Sequence, residues 1–221
     1  MKATFALVLL AALCGGRAAL AQAAGDTCTT CAGVRRLNAG EYAAAMILFR
    51  QNAAKGDVVA MNNLGWLYEN GLGITADGPK AIEWYDKALA RGDFVAARNK
   101  GWMYEHGEGV PVNDAEALAD YELAAQGGDA RGAYLAGMML EQGEGVSVDD
   151  GRALADYELA MRGGNADAMD RAGYMFEHGL GTPANVRQAY GLYQSAAALG
   201  NEDARQHLPA ITAELKLVLA K

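Results

Sequence analysis

The residues in this sequence able to do chemistry are few and scattered. The histidines are His106, His178 and His207. Two of them share a setting, Glu105-His106-Gly107 and Glu177-His178-Gly179. On stacked helices packed about 8–10 Å apart these two fall roughly 20 Å from each other. They cannot share a metal or a proton, and the pattern offers no zinc site. The serines are Ser147 and Ser195, and neither sits in a nucleophile turn. Cys28-Thr29-Thr30-Cys31 admits a local disulfide, a redox pair, disulfide exchange with a partner, or half of a metal site. Carboxylates are the richer set. Asp86, Glu122 and Glu158 are evenly spaced, and Asp120 and Asp156 stand two residues before the last two. Such a stripe suits recognition of a basic or polar segment, or is a solvated face. No cofactor is expected.

The spacing of those acids belongs to a period that runs through the chain. Gly65, Gly101, Gly137 and Gly173 lie 36 residues apart, as do Gly71, Gly107, Gly143 and Gly179, and then Gly73, Gly109, Gly145 and Gly181. Tyr85, Tyr121, Tyr157 and Tyr193 form a further column, with Phe49 one period earlier. Ala81, Tyr85 and Ala88 fall at i, i+4 and i+7, one face of a helix. Each unit therefore predicts two helices. Asp77, Asn113, Asp149 and Asn185 precede the first helix, where their side-chain oxygens can accept from free N–H groups. Gly56, Gly92, Gly128, Gly164 and Gly200 end it, and Asp57, Asp93, Asp129, Asn165 or Asn201 opens the second. The Gly-x-Gly pairs follow a helix, where a phosphate loop follows a strand and opens a helix, so they predict helix stops.

At the N-terminus, Lys2, the apolar run Phe5 to Leu13 and the small-x-small sites ending at Ala21 and Ala23 predict a secretory signal peptide over residues 1–23. The run is too short to span a bilayer, which takes about 20 residues. The chain carries a net charge of −8, and the signal would remove Lys2 and Arg17. That acidity argues against nucleic acid and anionic membranes as partners. Residues 24–38 predict an N-terminal cap holding Cys28 and Cys31, residues 39–208 about five repeats, and residues 209–221 a capping helix. That last helix is expected to start after Pro209 with the stripe Ile211, Leu215, Val218 and Leu219.

Ala60, Leu64-Gly65, Tyr68, Gly71-Leu72-Gly73, Asp77, Ala81, Trp84-Tyr85, Ala88 and Gly92 resemble the unit of the Sel-one-like repeat family, relatives of the tetratricopeptide repeats. The resemblance implies an all-α, right-handed α/α superhelix with a concave groove that holds a protein or peptide. It implies an adaptor or regulator, in a periplasm or secreted. Some family members are cell-wall- or β-lactam-directed hydrolases, the alternative reading. Those members carry a cysteine pair in each repeat, and the repeats here have none. The family has no shared catalytic motif to transfer.

Overall fold

The computed structural model describes residues 29–220, and within them the chain forms eleven α-helices and no strand. The signal peptide and Cys28 lie outside the described residues. The helices are α1 Thr29–Asn38, α2 Tyr42–Ala53, α3 Val58–Asn70, α4 Gly78–Leu89, α5 Phe94–His106 and α6 Asp114–Gln126, then α7 Ala130–Gln142, α8 Asp150–Arg162, α9 Ala166–His178, α10 Val186–Ala198 and α11 Glu202–Leu219. The chain divides into two compact units, Met1–Asp93 and Phe94–Lys221. In each, successive helices pack as neighbours and helices two apart also touch, as α1 does α3, α5 does α7 and α6 does α8. These are the neighbour relations of an α/α repeat array.

Helix ends follow the sequence columns. Asp77, Asn113, Asp149 and Asn185 accept from the N–H three residues on, and so do Asp57, Asp129, Asn165 and Asn201. Each cap satisfies one of the donors that a helix start leaves open. Gly71, Gly143 and Gly179 close α3, α7 and α9 in the left-handed conformation, with φ of 65°, 73° and 71°. A side chain would be strained there, which explains why the column is glycine.

Between the helices the same contact recurs four times. Tyr85, Tyr121, Tyr157 and Tyr193 are fully buried. Each ring lies against a glycine of the preceding helix: Gly65, Gly101, Gly137 or Gly173. A methyl group on Gly137 would come within 2.7 Å of the Tyr157 ring and 3.2 Å of the Ala153 carbonyl. Each hydroxyl donates to a glutamate on that same preceding helix, one turn beyond the glycine: Glu69 (2.5 Å), Glu105, Glu141 (2.5 Å) and Glu177 (2.7 Å). The acids form a 36-residue column of their own, which the sequence reading passed over. Burial, and then the glutamate, push the Tyr121, Tyr157 and Tyr193 hydroxyls well above the ordinary tyrosine pKa.

The C-terminal helix departs from expectation. It runs unbroken from Glu202, with Pro209 inside it. Proline has no N–H to donate to the carbonyl of residue 205, but Arg205 and Pro209 are both exposed, so water can donate to that carbonyl instead. Of the expected stripe only Ile211 is buried; Leu215 is half-buried, and Val218 and Leu219 are exposed. The stripe is too long for the support the helix receives, because α11 packs on α10.

Candidate functional site

The five acids expected to face a partner have five different surroundings. Asp86, on α4 in the first unit, is exposed. Asp120, on α6, is buried, with an oxygen 3.2 Å from the Lys100 ammonium on α5. Its helix is wound so that it points inward, which removes it from any exposed stripe. Glu122 is half-buried and ion-paired with Arg152 of α8. Asp156, on α8, is half-buried, and its carboxyl is pushed up to about 6, first by burial and then by Glu122, against the pull of Arg152. Lys100 has no counterpart for it: one period on stands Ala136. Glu158 is exposed on α8. Within the second unit, then, only Glu158 of the four is both exposed and without an ion pair among the described residues.

Glu158 lines an open groove of about 420 Å³ with Met161 and Arg162 of α8, Met169 of α9, and Leu192 and Ser195 of α10. Most of its lining departs from the repeat. Leu192 stands where the two preceding repeats have Asp120 and Asp156. Met161 replaces the Ala125 of the repeat before, Met169 replaces the Ala97 and Ala133 of the two preceding repeats and returns to the methionine of Met61, and Ser195 replaces Leu123 and Leu159. Gly191 stands beside them where Ala119 and Ala155 are found, and a methyl group there would meet nothing within 4 Å. Side chains shorten on α10 and lengthen on α8 and α9, so the face opens and gains a polarisable floor. Glu158 and Arg162 stand one helical turn apart, where opposite charges can meet. Neither makes an ion pair among the described residues.

The other candidate residues lie elsewhere and apart. His106 and His178 close α5 and α9. Their Nδ1 atoms lie 3.1 and 3.0 Å from the carbonyls of Trp102 and Tyr174, and their rings stack on those same residues. His207 stacks on Tyr193. No group of three possible metal ligands occurs among the described residues. Ser147 is exposed in a loop, and the Ser195 hydroxyl donates to the Gly191 carbonyl at 2.8 Å. Cys31 is half-buried on α1. Both glycines of each Gly-x-Gly pair have positive φ, as helix stops require. The groove was missed in the sequence because its residues are unremarkable singly. The signal lay in the columns: four of them break within the last repeats, and the breaks meet in space.

Comparison with known proteins follows the same boundaries. Residues 58–93, 95–129, 130–165 and 166–201 each match the Sel1 repeat. Among solved structures, a Sel1 repeat protein from Oxalobacter formigenes is 29% identical, with a TM-score of 0.74 over 81% of this chain and 74% of that one. The protective antigen c5321 of uropathogenic Escherichia coli, described as having an SLR fold, is 27% identical with a TM-score of 0.59. That alignment covers 85% of this chain and 49% of the antigen. No curated protein matches by sequence.

Proposed function

This chain belongs to the Sel1 repeat family, and we propose that it is an exported interaction scaffold, periplasmic or secreted, that holds a protein partner on the groove between α8 and α10. The observation that carries this reading is the convergence of residues that differ from the repeat before on one open face, while the buried glycine and tyrosine columns and their glutamates recur four times. A scaffold has to repeat its interior to stack and has to break its repeat where it recognises something specific. The groove is apolar at its floor and charged at its rim, the composition of a protein-binding surface. The acidic residues contribute to recognition through Glu158, and Asp86 lies on the corresponding helix face of the first unit.

Export rests on the N-terminal segment and fits the chain's other features. No helix among the described residues is long and apolar enough to cross a membrane. Cys31 is a disulfide sulfur, which supports pairing with Cys28 as a staple on the N-terminal cap in an oxidising compartment.

The test is photocrosslinking in cells, with the reactive residue placed at Met161 or Ser195 and, as a control, at Val148 in the loop before α8. We expect one protein to be captured from both groove positions, to be absent from the control, and to be lost in a Leu192→Asp variant. Equal capture from all three positions, or from none, would overturn the reading.

A further inference from the structure

From the groove's own hydrogen bonds and charges, and resting on the scaffold reading above, we infer that its occupant is an amphipathic α-helix of the partner, not an extended segment. An extended peptide brings a row of bare N–H and C=O groups, and burying them requires partners on the receiving surface. Strand-binding surfaces supply such partners from a sheet edge. This groove is walled by helices whose main chain is already closed on itself. The Met161 carbonyl accepts from Gly164, and the Ser195 carbonyl from Leu199. The Met169 N–H is spent on the Asn165 carbonyl. The one neutral polar side chain has no proton to offer an incoming carbonyl, since the Ser195 hydroxyl donates to the Gly191 carbonyl.

Side-chain burial is what remains to bind with. Met161, Met169 and Leu192 form the floor. Methionine is flexible enough to pack around an inserted side chain of varied shape. A helix satisfies its own main chain and presents apolar residues at i, i+3, i+4 and i+7, which is the form of ligand such a surface can use. The rim fixes its charges. Glu158 and Arg162 point one negative and one positive group at the occupant, a turn apart and neutralised by nothing within the described chain. The complement is a basic and an acidic residue one turn apart beside the apolar stripe. A purely basic ligand would leave Arg162 facing like charge, so the groove selects a mixed-charge helix where an acidic stripe would have selected a basic one.

The test uses the mature protein and two displayed peptide libraries: fourteen-residue helix-forming peptides randomised on one face, and equally long peptides with proline at two central positions. Selection is followed by binding to the wild type and to Ser195→Leu. That variant restores the leucine of the two preceding repeats, so it fills the groove with a side chain those repeats already accommodate. We expect binders from the helical library with an aliphatic stripe and paired charges. Their affinity should fall at least tenfold on Ser195→Leu at unchanged Tm, and several-fold on Glu158→Gln and Arg162→Gln. Binders arising from the proline library, or from neither, or insensitive to Ser195→Leu, would overturn the helical occupant. Crosslinking at Met161 and Ser195 in cells that persisted in any of those cases would leave the scaffold reading standing, and its loss would remove both.

Discussion

The buried seam of this protein and its groove obey opposite rules. In the seam, glycine, tyrosine and glutamate recur together four times with the same contact and the same hydrogen bond. The first helix pair supplies a natural control. There Phe49 takes the tyrosine's place and lacks the hydroxyl, and Gly33 stands where the glutamate column would fall. Donor and acceptor are absent together, and the glycine has moved one turn to sit under the ring. In this seam the glutamate is present only where a hydroxyl donates to it, and an acceptor orphaned there would cost stability. On the groove, by contrast, Met161, Met169, Leu192 and Ser195 each differ from the residue of the repeat before, and no shared partner explains the changes. Coordinated conservation within a chain marks packing; coordinated divergence at one place marks recognition.

The widest separation between the two rules should come from their glycines. Gly137→Val places atoms inside the Tyr157 ring and should cost about 3 kcal/mol, the upper range for overpacking. In a chain of this size that is a fall of roughly 6–12 °C in Tm by circular dichroism. Gly191→Ala meets open space in the middle of α10 and should instead stabilise by about 0.5–1 kcal/mol through helix propensity. If the two variants lowered Tm alike, the distinction drawn between seam and groove would be lost.

The hydroxyl–carboxylate bond is the next term. Tyr157→Phe takes the hydroxyl from Glu141, leaving it only the Arg171 guanidinium at 3.6 Å, and should cost about 2 kcal/mol, the range for a bond to a charged group. Pairing it with Glu141→Gln should recover part of that loss, and the coupling in a double-mutant cycle measures the bond itself. Additive losses would show that the column is fixed by ring packing alone. The groove changes should read out the other way. Leu192→Asp, which gives α10 the residue of its two preceding repeats, should weaken partner capture at least tenfold, about 1.4 kcal/mol, while Tm falls only a few degrees, as expected for an acid with Ala172, and no lysine, two periods after Lys100. A large fall in Tm with capture unchanged would place Leu192 in the core and not on the recognition face.

Most of the fold was legible because stacking forces repetition, and repetition is visible without coordinates. The N-caps at Asp77, Asn113, Asp149 and Asn185, the glycine stops and the tyrosine columns all followed from a 36-residue period and helix-end chemistry. The C-terminal helix was misjudged because a proline normally ends a helix; an exposed proline with a solvated carbonyl beneath it need not. Asp120 leaves the acidic stripe for a different reason. Helical spacing gives the face of a residue but not the partner behind it, so Asp120 reads as a surface acid until Lys100 is seen against it. The groove is legible only in retrospect, because volume lost on one helix matters when volume is gained on its neighbours.

Asp156 gives the smallest effect and the sharpest contrast, since its own column holds the reference. Asp120 has Lys100 to offset its burial; Asp156 has Ala136 one period on and is pushed up to about 6, mainly by burial and secondarily by Glu122. A carboxyl with a raised pKa favours folding when it is protonated. Its contribution is fully present below about 4, the unfolded value, and is lost as pH rises through about 6. Asp156→Asn should therefore raise stability by about 1 kcal/mol at pH 8, a value well under the full linkage because water reaches this side chain. At pH 4 the variant and the wild type should melt together. A gain of equal size at both pH values would mean that the asparagine acts through packing, and that the acid left beside Glu122 carries no charge penalty in the fold.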